Sequence, residues 1–131
     1  MTRRRSDARA FGHDSELLAE RYLRRRGYEI LERNVRLPEG ELDLVARQSG
    51  VMVFVEVKAR RTQAMGGALY AVQTDKRRRL VRLASHYLAL HEWQDYPARF
   101  DVVLIQQDGD RQPTVEHIEN AFEVPSGDGR W

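Results

Sequence analysis

The stretch from Glu41 to Arg60, ELDLVARQSGVMVFVEVKAR, constrains this chain more than any other. Val51, Val53, Val55 and Val57 alternate with Met52, Phe54, Glu56 and Lys58, the period-2 pattern of a strand with two distinct faces. Ahead of it, Leu42, Leu44 and Ala46 alternate with Glu41, Asp43 and Val45, and the intervening Ser49-Gly50 favours a tight two-residue turn. Such a turn sets Gln48 opposite Val51 and fixes the register of a β-hairpin. Leu42 is then expected opposite Val57, Leu44 opposite Val55 and Ala46 opposite Val53, on one aliphatic face. The other face is expected to pair Glu41 with Lys58, Asp43 with Glu56 and Val45 with Phe54. A slip of one residue would set aliphatic groups against charges along the whole ladder, so the register is well specified.

Residues directly opposite one another have Cβ atoms about 4.5–5.5 Å apart. The carboxylates of Asp43 and Glu56 would repel at that separation unless a positive charge lies between them. Lys58 on the same face is one candidate and a divalent cation is the other. An ordinary solvated Glu–Lys pair has the same local sequence. Here, however, Val45, Met52 and Phe54 share the face, which points to a covered surface where charges must be paired or metal-bound.

A chain of 131 residues fits one domain with a modest core. With no cysteine, disulfides and thiolate metal sites are excluded. No segment resembles a signal peptide and no apolar run is long enough to span a bilayer, so a cytoplasmic protein is expected. The net charge is only +2, but the basic residues cluster and most are arginine. They fall at Arg3 to Arg5, Arg24 to Arg26, Arg60-Arg61, and Lys76 to Arg79 with Arg82. Clustered arginine suits phosphate contacts and equally suits solvated helix faces.

In chain order, residues 1–11 are polar and Arg-rich and read as a flexible basic arm. A helix is expected from about Asp14 to Arg26, with Leu18 and Tyr22, then Ala19 and Leu23, at i, i+4 spacing and Gly27 as the stop. Glu20 reads as a surface partner of Arg24, and Glu16 sits in the first turn, where a carboxylate complements the helix dipole. Tyr28 to Arg36 reads as a strand, followed by a turn at Leu37 to Gly40. After the central hairpin, Arg61 to Gln73 is a loop whose Gly66-Gly67 suits either a linker or close approach of backbone to a ligand.

Thr74 suits the cap of a second helix ending near Leu90, with Leu80, Ala84, Tyr87 and Leu88 as its buried stripe. Lys76, Arg79, Arg82 and His86 share another side, fit for a phosphate backbone or for water. Arg99 to Gln106 and Pro113 to Glu119 read as strands joined through Asp108-Gly109. Asp101 is expected to be a structural hydrogen-bonding carboxylate rather than a metal ligand; His117 could be a ligand, but a lone His there usually makes an ordinary hydrogen bond. The expected organisation is a single domain over residues 12–122, with a loose tail at 123–131. Its order is α-β-β-β-α-β plus one strand, and the second helix forms a right-handed crossover between parallel strands.

Asp43, twelve intervening residues and then Glu56-Val57-Lys58 resembles the PD-(D/E)xK motif of the restriction-endonuclease-like nucleases, with Leu42 in place of the proline. The element order also resembles that superfamily's core: an α/β fold with a mixed central sheet flanked by helices. The resemblance is closer to one branch. Gly12 to Glu16 (GHDSE), RGYEILERNVR, GELDLVA, FVEVKAR, RFDVV and HIENAF are similar to the YraN family, small and largely uncharacterised bacterial proteins likened to archaeal Holliday-junction resolvases. The likeness runs from about Phe11 to Phe122, with Ser15 where the family tends to have a small residue such as glycine.

That resemblance implies a site of Asp43 and Glu56 as metal ligands, the backbone carbonyl of Val57 as a further ligand, Lys58 as the catalytic lysine, and Glu16 as an acidic residue contributed by the first helix. Gln73 would have a supporting role. It implies Mg²⁺ or Mn²⁺ as cofactor, since hard oxygen ligands suit those cations, and DNA phosphodiester hydrolysis as the reaction, on branched or structured DNA. A non-cleaving nucleic-acid-binding module on the same fold is the alternative. Lys76, Arg79, Arg82, Arg60 and Arg61 would hold the nucleic acid, and a homodimer would match a two-fold junction.

Overall fold

The structure, a computed structural model, describes residues 5–61 and 74–124. It consists of α1 (Arg5–Arg25), β1 (Glu29–Leu37), β2 (Gly40–Gln48), β3 (Val51–Arg60), α2 (Thr74–Leu90), β4 (Ala98–Gln106) and β5 (Thr114–Val124). The helix α1 begins at Arg5, nine residues before the Asp14 expected from apolar spacing. Arg5 to Phe11 carries no proline or glycine to stop a helix, and an absent apolar stripe does not prevent one. Residues 1–4, the tail from 125 onward, and the loop with Met65, Gly66, Gly67 and Gln73 lie outside the described residues.

The strands form one sheet in the order β1-β2-β3-β4-β5. Every neighbouring pair is antiparallel except β3 and β4, which run parallel across the connection that contains α2. A parallel pair requires such a crossover, whereas the other pairs need only turns. The helices cover opposite faces: α1 lies over β1, β3 and β4, while α2 lies over β2 and β5.

Alternation along β3 divides the core between those faces. Val53 and Val55 join Ala19, Leu23, Leu44, Ala46, Val103 and Ile105 beneath α1. Met52 and Phe54 join Leu80, Leu83, Ala84, Tyr87 and Phe100 beneath α2. Phe54 is the centre of that second cluster, fully buried, edge-on to Tyr87 at 5.9 Å and tilted against Phe100 at 5.4 Å. Burying one such side chain contributes about 1.5–3 kcal/mol.

The hairpin turn forms as the sequence requires. Ser49 and Gly50 both have positive φ, 50° and 80°, the conformation of a two-residue turn whose twist matches its strands. Gln48 pairs with Val51, Ala46 with Val53, Val45 with Phe54 and Leu44 with Val55. The β2–β3 pairing ends there, so the expected pairs Asp43–Glu56, Leu42–Val57 and Glu41–Lys58 do not form. Leu42 lies in the α2-side cluster and not with Leu44, so the aliphatic face is shorter than alternation implies. Beyond Leu44, β2 continues only with β1, where Asn34 has φ 53° between the pairs Arg33–Leu44 and Val35–Leu42. The β1–β2 register runs unbroken through these pairs; its shift lies earlier, between Ile30 and Glu32.

The helix α1 stops where glycine permits. Gly27 has φ 88°, its amide donates to the Arg24 carbonyl at 3.1 Å, and the Tyr28 amide donates to the Leu23 carbonyl at 3.0 Å. Tyr28 and Leu23 then meet in one core cluster, the apolar contact that accompanies this ending. The helix α2 ends the same way, with Trp93 donating to Leu88 and Glu92 to Ala89, yet the left-handed position is Glu92 at φ 57°. A side chain there costs about 1–2 kcal/mol. Glu92→Gly is therefore expected to stabilise the protein by about 0.5–1 kcal/mol in chemical denaturation; a loss of stability would contradict this account.

Candidate functional site

Where β2 leaves β3, the backbone of β3 needs new partners. The Val57 amide donates to Asp43 Oδ2 at 2.8 Å, so a side chain takes over where the strand ladder stops. This bond joins Asp43 to the Glu56-Val57-Lys58 segment although the pair is no longer a ladder partner. Glu56 and Lys58 alternate with Val55 and Val57, and so leave the α1-side cluster and face the side covered by α2.

Asp43 is half-buried, and its pKa is pushed up to about 7. Burial is the largest cause, the Glu56 charge comes next, and the Glu16 and Glu41 charges add to it against the pull of the Val57 amide. Glu16, half-buried on α1, thus bears on Asp43 through its charge. The preceding Ser15 is 3 % exposed, consistent with a small residue where the helix meets the sheet. Glu41 belongs to the same electrostatic neighbourhood, which hairpin alternation alone assigned to a pair with Lys58.

Glu56 is held by two ammonium groups. Its Oε2 lies 3.2 Å from Lys58 Nζ and 2.9 Å from Lys76 Nζ. Burial and the adjacent Lys76 push the Lys58 pKa below its usual value. Burial opposes charge on Lys76 as well, but its contacts with Lys58 and Glu56 and the charge of Asp43 hold its pKa above the usual value. Among the described residues, no three His, Cys, Asp or Glu side chains stand in an arrangement able to hold a metal ion.

Lys76 is the residue whose place the sequence reading missed. Helical spacing set it in the basic row with Arg79, Arg82 and His86, facing a phosphate backbone or water. Its carboxylate partner follows from topology, because a crossover helix after a parallel strand starts near the strand's C-terminal end. His86 of the same row meets Glu39 of the β1–β2 turn at 3.0 Å. Arg79 and Arg82 are exposed, Arg60 is half-buried at the end of β3, and Arg61 is exposed just beyond it.

Asp101 and His117 have the structural roles expected of them. Asp101 is 0 % exposed and accepts from Arg99 Nε at 2.9 Å, Tyr28 Oη at 3.1 Å and the Asn120 amide at 2.9 Å, while His117 Nε2 lies 2.8 Å away. Burial works to raise its pKa, but the hydrogen bonds from His117, Arg99 and Asn120 outweigh it and hold the carboxyl below its usual range. Glu20 departs from expectation. It pairs with Arg24 as predicted, but Arg33 of β1 also clamps it at 2.9 and 2.6 Å, and at 8 % exposure it is a buried tie between helix and sheet.

A mixed five-stranded sheet between two helices, with an acidic site where its second and third strands part, defines a restriction-endonuclease-like α/β core. The chain belongs to the uncharacterised protein family UPF0102, the YraN family, whose family model matches residues 15–105. A UPF0102 protein of Geotalea uraniireducens is 43 % identical over 120 residues, covering 92 % of this chain and 94 % of that protein. Another from Symbiobacterium thermophilum is 45 % identical over 115 residues, covering 88 % and 98 %. One from Nitrosomonas europaea is 44 % identical over 112 residues, covering 86 % and 92 %. No helix among the described residues is long and apolar enough to cross a membrane.

The raised pKa of Asp43 has a definite consequence for stability. Its folded value of about 7 exceeds the ordinary 3.8, so its favourable contribution is complete below about pH 4 and is lost as pH rises to about 7. Above that, the ionised carboxylate costs the folded protein on the order of 2–4 kcal/mol. Asp43→Asn, which keeps an oxygen for the Val57 amide, is expected to unfold at higher denaturant than wild type at pH 8 and at similar denaturant near pH 4. Equal midpoints at pH 8 would refute the assigned charge burden.

Proposed function

We propose that this protein is a metal-dependent endonuclease that hydrolyses DNA phosphodiester bonds, selecting branched or junction DNA by structure. The observation that carries the reading is Asp43: a half-buried carboxyl held by the Val57 amide at 2.8 Å beside the Glu56-Val57-Lys58 segment, where burial first, and the charges of Glu56, Glu16 and Glu41 after it, oppose its ionisation. Carboxylates so disposed, with a lysine alongside, suit a hard divalent cation. Asp43 and Glu56, with the Val57 carbonyl, would be the oxygen donors for Mg²⁺ or Mn²⁺, and Glu16 would join them only by drawing closer than it stands without the ion. The bound ion would supply Lewis acidity, lowering the pKa of water and offsetting charge on the phosphate oxygens.

The chain's own groups do the rest. The Val57 amide orients Asp43 by donating to one carboxylate oxygen. Lys58, 38 % exposed, presents an ammonium to the attacking water or to the phosphate, where charge builds during displacement. Arg79 and Arg82 on α2, with Arg60 and Arg61 at the end of β3, are the phosphate contacts of the flanking strands. A branched substrate offers phosphates in several directions, which suits basic residues spread over two elements. A homodimer would present two such sites to a two-fold junction.

A second reading is a nucleic-acid-binding module that does not cleave. It draws support from the two lysines that already neutralise Glu56, and from the lack of a three-ligand cluster among the described residues.

Labelled four-way-junction, flap, single-stranded and linear DNA, incubated with Mn²⁺ or Mg²⁺, separates the readings. Wild type is expected to cleave in a metal-dependent manner, with Asp43→Asn and Lys58→Ala each slower by about 10²–10³-fold. Mn²⁺ is also expected to raise the melting temperature of wild type and not that of Asp43→Asn. Equal trace cleavage by all three proteins would favour the binding module.

A further inference from the structure

Glu56 and its two lysines pose a question that the proposed chemistry leaves open. One lysine beside the acidic pair suffices to orient water, yet a second ammonium, from a different element, makes the shorter contact: 2.9 Å from Lys76 against 3.2 Å from Lys58. Both ammonium groups reach the same oxygen, Oε2. Glu56 is 12 % exposed at its side chain, and Lys76 and Lys58 are each 38 % exposed. The carboxylate is thus the sheltered partner and the lysines are the ones with room to move.

Origin matters as much as distance. Lys58 is two residues from Glu56 on one strand, and its position is fixed by the pleat. Lys76 stands in the first turn of α2, and only the crossover brings it there. Lys76 also has a charge relation with Asp43, which raises its pKa along with Glu56 and Lys58. Its ammonium therefore sits in the field of both carboxylates that the proposed cation would use.

We propose that Lys76 is a tethered counter-ion for this site: it neutralises Glu56 while no divalent cation is bound, gives the carboxylate up when one binds, and then turns its ammonium to a phosphate oxygen of the nucleic acid. The inference rests on the metal-dependent reading of the site. Its physical content is competition. A carboxylate oxygen 2.9 Å from an ammonium must lose much of that ion pair before it can serve a dication, so the ion pair weakens metal binding in the free protein. Once released beside a bound cation, the same ammonium is repelled from it and attracted to a polyanion. Cation and nucleic acid then bind with positive coupling, each raising the affinity for the other by the same factor.

The row of basic residues on α2 takes on a different meaning under this arrangement. Arg79 and Arg82 can contact phosphate whether or not the cation is present, whereas Lys76 does so only when it is. Lys76 is accordingly a conditional phosphate contact placed nearest the carboxylates. The geometry gives it a role distinct from that of Lys58, whose two-residue link to Glu56 keeps it within the site in either state.

The test is Mn²⁺ binding measured by isothermal titration without nucleic acid, so that no turnover is read. Wild type, Lys76→Met, Lys76→Gln and Lys76→Arg are compared, with circular dichroism to establish that each is folded. Lys76→Met and Lys76→Gln are expected to bind Mn²⁺ about 5–20-fold more tightly than wild type, and Lys76→Arg, which keeps the charge, to remain within about 3-fold. A companion measurement follows the salt dependence of binding to a four-way DNA junction in Ca²⁺ and in chelator. Lys76→Met is expected to reduce the slope by about one phosphate contact in Ca²⁺ and to leave it unchanged in chelator. Unchanged or weaker Mn²⁺ binding by both neutral variants, or an equal change of slope in both conditions, overturns the role given to Lys76. If wild type and every variant fail to bind Mn²⁺, it is the metal-dependent reading itself that falls.

Discussion

The hydrogen bond from the Val57 amide to Asp43 is the contact on which the candidate site depends. A strand that loses its neighbour exposes amides that must find acceptors, and an amide without one costs about 1–3 kcal/mol when buried. Here the acceptor is an acidic side chain on the departing strand. The carboxylate thereby does two things at once: it accepts from the Val57 amide where the β2–β3 ladder has stopped after Leu44–Val55, and it is held against the Glu56-Val57-Lys58 segment. Had the hairpin kept its register to the end, Asp43 and Glu56 would have been direct cross-strand neighbours, with no opening between strands for anything else.

The electrostatics follow from that opening. Three acidic residues, Glu16, Glu41 and Glu56, from a helix and two strands, act through their charges on the half-buried Asp43. Two lysines answer them, both on Glu56, and the imbalance falls on Asp43. The contrast with Asp101 is instructive. Asp101 is the more deeply buried, yet His117, Arg99 and the Asn120 amide bring its pKa down. Burial alone does not distinguish a working carboxylate from a structural one; the completeness of its hydrogen bonding does.

Two buried polar ties hold the frame around the site. Glu20 links α1 to Arg33 of β1, and Asp101 gathers Tyr28, Arg99, His117 and the amide of Asn120 from β4, β5 and the residue ahead of β1. Arg99 reaches on to Gln48 at the end of β2, so three strands and the residue ahead of β1 meet in one network. The apolar layers beneath each helix supply most of the burial, and these ties set which way the helix and strands lie. Glu16 depends on that placement, because it approaches Asp43 only as far as α1 is held over the sheet.

Much of this was legible in the sequence, for a physical reason. Period-2 alternation, a Ser-Gly turn, and a helix stop at Gly27 are local properties, and the hairpin from Leu44 to Val55 formed in the register they specify. The spacing of Asp43, Glu56 and Lys58, with the matching flanking segments, carried the fold class and the family. Tertiary structure decided the rest. The ladder with β3 ended at Leu44 while β2 stayed paired with its other partner, β1, as far as Gly40, which no hairpin pattern can express. Lys76 joined Glu56 because a crossover returns the start of α2 to the end of β3, although Lys76 lies twenty residues further along the chain. Glu20 became a buried tie because Arg33 reached it from another element. Local periodicity determines which face a side chain takes; only the packed fold determines which charges meet across the space between elements, since that depends on where separate segments are brought together.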